Sequence, residues 1–219
     1  MSKFITCIES DSFMTTKIEL DFALEQIDAP VEEGFGDKIK EYAKIAYDKF
    51  MELIKIVSEA IDRAIANIKK YFTLKLNLEV DVSKAQLWFN SFTLANQVEQ
   101  LVQIASQDIS NVINHINRKS DDSDYEGEEF QTKLFFALNK IKKAPVGKKV
   151  KYNDIKNALS KHNEAINTLS KKFASAKDTL SADENAKILK IPMNQIGRML
   201  NMLRADVNTL SGYVAPKEA

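Results

Sequence analysis

One cysteine, two histidines, six glycines and four prolines in 219 residues leave few residues for several kinds of chemistry. Cys7 has no second cysteine to pair with, so no internal disulfide forms and the core has to hold the chain together. His115 and His162, even with Cys7, fall short of the ligand number a zinc site takes, and neither imidazole has a triad partner at a diagnostic spacing. The dispersed glycines build no phosphate-cradling loop and no GxSxG elbow, and no HExxH helix occurs. No catalytic, metal-binding or cofactor-binding residue is expected, and the chain reads as a non-enzyme.

Long apolar runs are also missing. The segment MSKFITCIESDSF meets Glu9 and Asp11 before any run of signal-peptide length. The longest uncharged stretch lies between Lys84 and Glu99, is too short to span a bilayer, and contains Gln86, Asn90, Ser91, Asn96 and Gln97. The expectation is a protein without a transmembrane segment, placed in the cytoplasm.

Charge is balanced in total but not along the chain. Residues 1–35 carry eight acids against Lys3 and Lys17, a net of −6. A second acidic cluster spans Asp121 to Glu129, whereas residues 138–177 hold eleven lysines against Asp154 and Glu164. Such blocks suit pairing within the chain or head-to-tail pairing between copies.

Hydrophobic residues make up 44% of the chain, enough for a globular core, and their spacing is mostly helical. An acidic N-terminal segment (1–35) is predicted to be helical from Ser12 to Asp28 and then to become a linker at Pro30–Gly36. A helical domain follows over 36–219. Its clearest element is a long helix over 36–72, with Ile39, Ala43, Ala46, Phe50, Leu53, Val57, Ala60 and Ala64 on one stripe. The stripe then drifts to Ile54, Ile61, Ile68 and Tyr71, as it does in a straight helix.

Residues 73–82 alternate with period two and read as strand-like, with Lys3–Ile8 and Val146–Tyr152 as candidate partners; the other reading is an extended connector. Further helices are predicted over 83–117, 129–143, 153–180 and 182–214, with a turn at Ala144–Gly147 and a kink or fresh start at Pro192. The expected fold is therefore mainly α, a bundle of long amphipathic helices with room for a small two- or three-stranded β element.

Two clusters invite a functional reading. Asp122, Asp124, Glu126 and Gly127 imitate the start of a calcium loop, but Lys133 stands at the twelfth place and Glu129 at the apolar eighth, so a solvated acidic loop is favoured. Lys142, Lys143, Lys148, Lys149 and Lys151 form a candidate interaction surface. Nucleic-acid phosphates are a weaker partner class for it than protein. Membrane-surface binding by the long helix is disfavoured, because its polar face carries nearly as many acids as lysines.

Residues 10–72 run from the acidic helix Phe22–Glu33 through Gly34-Phe35-Gly36 into the lysine-rich Asp37-Lys38-Ile39-Lys40-Glu41-Tyr42. This order resembles internal or structural virion proteins of large tailed bacteriophages. The resemblance implies a head-maturation cut after Val31-Glu32-Glu33, making Glu33 and Gly34 the candidate processing site and the virion interior a second location. The function expected is a non-enzymatic structural or assembly protein acting through helix–helix contacts, self-association or a protein partner. The alternative is a small regulatory or host-interaction protein that binds one partner as a folded monomer.

Overall fold

The computed structural model describes residues 2–27, 36–94, 96–117, 132–175, 177 and 186–215. Among the described residues six helices carry the fold: α1 (Ser2–Ile27), α2 (Gly36–Phe72), α3 (Gln97–Asn117), α4 (Lys133–Asn139), α5 (Tyr152–Ala174) and α6 (Ala186–Val214). Four short strands, β1 (Glu79–Asp81), β2 (Gln86–Leu87), β3 (Ala144–Pro145) and β4 (Lys149–Lys151), lie between them. The mainly helical bundle with a small antiparallel β element is thus observed.

α2 is the central post, packed by α1, α5 and α6, so its partner helices are supplied within the chain. Ile39 through Val57 on the predicted stripe are buried, and after the drift Ile54, Ile61, Ala64 and Ile68 are buried as well. Tyr71 is not; Phe72 instead stacks on Tyr152 at the start of α5, ring centroids 4.0 Å apart. At the other end of this antiparallel pair Phe50 meets Phe173 at 4.2 Å, both fully buried. Each such side chain contributes roughly 2–3 kcal/mol of transfer free energy. α1 also runs antiparallel to α2, fixed by Phe22 edge-on to Tyr42 and by Glu19 with Lys49 at 2.6 Å.

Several element bounds differ from the expectations. α1 is helical from Ser2, which removes Lys3–Ile8 as a strand. Only Glu79–Asp81 of the strand-like stretch pairs, with Lys149–Lys151; Thr73–Lys75 is a 3₁₀ turn. The alternation there does not create a buried face, since Leu74 and Leu78 are exposed, and Leu76 and Leu78 use their carbonyls to accept from Asn153 and Tyr152.

Residues 83–94 are not helical because other groups take their backbone. Asp81 accepts from Ser83, the Ser83 and Ala85 carbonyls accept from Gly147 and Val146, and Asp206 accepts from Trp88 and Phe89. α4 stops at Asn139, and the predicted turn at Ala144–Pro145 pairs instead with Gln86–Leu87. The partner numbers shift by one between the β1–β4 and β2–β3 ladders, so an irregular stretch around Val82–Ala85 separates them. Gly147, between β3 and β4 and opposite Ser83, adopts φ +74°, a conformation glycine takes without Cβ strain.

α5 ends at Ala174, short of Leu180. α6 runs continuously through Pro192, so no new helix starts there; the residue lies in the second turn, where its missing N–H removes one backbone bond. The linker, the Glu33–Gly34 site, the acidic loop and residues 178–185 lie outside the described residues.

Candidate functional site

The residues between β2 and α3 form a groove with the C-terminal end of α4 and the strand that follows it. Its volume is about 570 Å³. Leu87, Trp88, Leu94, Leu101, Ile104 and Ile141 supply an apolar floor and walls; Lys140 and Lys142 stand at the rim, and no acid among the described residues lines it. Leu94 keeps 58% of its surface exposed, which is unusual for a leucine beside so many apolar neighbours. The Gln97 Oε1 atom is buried without a hydrogen-bond partner.

Buried polar side chains on the helices hold this irregular wall in place. Asp206, 1% exposed on α6, accepts from the Trp88 N–H at 2.8 Å and the Phe89 N–H at 2.7 Å. Burial pushes its carboxyl up to about 6, against the opposing pull of these donors and of Lys143. Asp108 on α3 accepts from Leu134 at 3.0 Å and Thr132 from Phe135 at 3.2 Å, which together cap the first turn of α4. Burial raises the Asp108 pKa above the usual carboxylate range.

His162 lies in the α5 seam, and its Nε2 is 2.7 Å from Ser91 Oγ. Ser91 Oγ also donates to the Phe89 carbonyl at 3.3 Å. The hydroxyl has one proton, so this pairing favours Nε2–H donating to Ser91 and leaves the partnerless Nδ1 as a bare acceptor rather than an orphaned donor. Burial lowers the His162 pKa to about 4, so the ring is neutral at pH 7.

The five sequence-picked lysines do not share one pocket. Lys142 rims the apolar groove, while Lys148 and Lys149, with Lys161 and Asp154, line a second hollow of about 380 Å³. Lys148 is tied to the Phe92 carbonyl at 3.0 Å; Lys149 and Lys151 flank buried Val150 on β4 and are exposed. Lys143 faces the Asp206 carboxylate electrostatically.

Reasoning on sequence passed over Asp108 and Asp206, although each sits on an apolar stripe: Asp108 between Ala105 and Val112, Asp206 between Leu203 and Leu210. An acid at a core position is the signal that marks such a clamp. Leu94 falls within the helix expected over 83–117, whereas it is exposed before α3 begins.

Among the described residues, no group of three or more His, Cys, Asp or Glu is placed to hold a metal ion, and no helix is long and apolar enough to cross a membrane. No protein-family model matches the chain, and no curated protein or solved structure matches it significantly. The local geometry therefore carries the functional argument.

Proposed function

We propose that this chain is a non-enzymatic assembly protein that receives an amphipathic helix of a protein partner in the Trp88–Leu94–Ile141 groove. The observation that carries the reading is the combination of an apolar floor and a lysine rim in a groove whose wall is tied by two backbone hydrogen bonds to the buried Asp206 carboxylate. Helix-in-groove recognition needs those parts: an apolar trough for the guest's stripe, charges to orient it, and a wall that loses little entropy on binding. Trp88, half-buried and on the groove wall, supplies the large aromatic surface that dominates many interfaces. The lysine rim favours guests with acids beside their stripe. A virion interior is the specific setting within this proposal, on the resemblance of residues 10–72 alone.

Trp88 is the chain's only tryptophan, so its emission reports on the groove directly. Titration with acid-flanked amphipathic helical peptides is expected to shift that emission to the blue, saturably, and Leu94→Asp is expected to remove the response. Silence towards acidic, basic and neutral amphipathic helices alike would overturn the reading.

A further inference from the structure

α1 has two apolar sides; the bundle buries one of them and touches the other only at Phe22, whose ring meets Tyr42 edge-on. Phe13, Leu20, Ala23, Leu24 and Ile27 are buried against α2 and α6. Met14, Ile18 and Phe22, each four residues from the next, remain 47%, 62% and 54% exposed. Spacing of four places them on one side of the helix, as a stripe about 12 Å long at 1.5 Å per residue. Between Ser12 and Ile27 the helix carries Glu19, Asp21 and Glu25 against Lys17, a net of −2.

We infer that the guest of the Trp88–Leu94–Ile141 groove is the outer face of α1 from a second copy of this chain. This deepens the assembly reading and rests on it. Charge selects the occupant: among the described residues the groove lining carries Lys140 and Lys142 and no acid, whereas α1 has Glu19 paired with Lys49, Asp21 paired with Lys17, and Glu25 three residues beyond Phe22. Pairing of the α1 stripe with another α1 stripe would set acid against acid, and the same acids repel an anionic lipid surface.

Because the stripe and the groove are different surfaces, the contact is head-to-tail. Such a contact propagates into rings or open chains rather than stopping at a dimer. A stripe of three side chains is a small interface, so association is weak and concentration-dependent.

Ile18→Glu disables the stripe and Leu94→Glu the groove, and both side chains are exposed enough for the fold to tolerate the change. Sedimentation equilibrium of the full chain is expected to show a mass that rises with concentration. Each variant alone is expected to stay monomeric, and an equimolar mixture to stop at a 1:1 dimer. Lys140→Glu with Lys142→Glu should weaken wild-type association on the order of tenfold.

A wild-type chain that remains monomeric at the highest soluble concentration would overturn the inference. So would an Ile18→Glu protein that still self-associates, or a mixture that does not dimerise. If self-association fails while acidic amphipathic peptides still shift Trp88 emission, the second copy is excluded and the assembly reading stands. If neither occurs, both fall.

Discussion

The Asp206 carboxylate on α6 accepts a hydrogen bond from the backbone N–H of Trp88 at 2.8 Å, across 118 residues of chain. Its other oxygen takes the neighbouring N–H of Phe89. One side chain thus keeps two consecutive backbone donors out of a helix and fixes the wall on which Trp88 stands.

Removal of that clamp should cost more than removal of its charge. Asp206→Ala leaves two donors without an acceptor and is expected to destabilise the fold by roughly 2–4 kcal/mol at pH 7. Asp206→Asn keeps one acceptor and is expected to fall between the two. Urea denaturation followed by circular dichroism gives the order; an alanine variant as stable as wild type would refute the clamp.

Asp206 and His162 should pull stability in opposite directions in acid. The folded-state pKa of Asp206 is raised to about 6, so the folded protein binds its proton first, and this group adds stability as pH falls from 6 towards the unfolded value of 3.8. His162 is lowered to about 4, so its contribution is complete above the unfolded 6.5 and is lost as pH falls through 4. Each effect is roughly 3 kcal/mol across its window. The contributions nearly cancel in wild type between pH 6 and 4. His162→Gln should therefore gain stability relative to wild type as pH falls through that interval, and Asp206→Asn should lose it. Denaturation midpoints at pH 7, 5.5 and 4.5 provide the check; parallel curves for all three proteins would reject the assignment.

Gly147 isolates a purely backbone effect. A Cβ there meets no heavy atom within 4 Å, yet φ is +74°. Gly147→Ala is expected to destabilise by about 1 kcal/mol through left-handed strain alone, and Gly147→Asn by less. Thermal unfolding of the pair would distinguish this from steric crowding, under which the larger asparagine would be the worse substitution.

The helices with long apolar stripes were legible because periodicity is a local property. Ile39 to Ile68 on α2, Ile155 to Phe173 on α5 and Ile196 to Val214 on α6 needed only 3.6-residue spacing, and their buried faces follow it. Residues 83–96 misled for the converse reason. Leu87, Trp88, Phe89, Phe92 and Leu94 suit a helix by composition, but their backbone partners are Asp206, Val146 and Gly147, which no local window contains. The site was half legible: the lysine-rich region was visible, whereas the groove needed Trp88, Leu94, Ile104 and Ile141 brought together from separate segments.

α1 shows where local pattern stops being informative. Phe13, Ile18, Leu20, Phe22, Leu24 and Ile27 are all apolar in the sequence, and only packing against α2 and α6 divides them into a buried side and an exposed one. What the sequence by itself determined is the helical class, the length of the central post and the separation of charge, because each depends on residue type and short-range spacing. What only the tertiary structure decided is which apolar side stays open and which distant acid captures which backbone N–H. Burial and hydrogen-bond satisfaction are settled between segments far apart in the chain, after the helices have found one another.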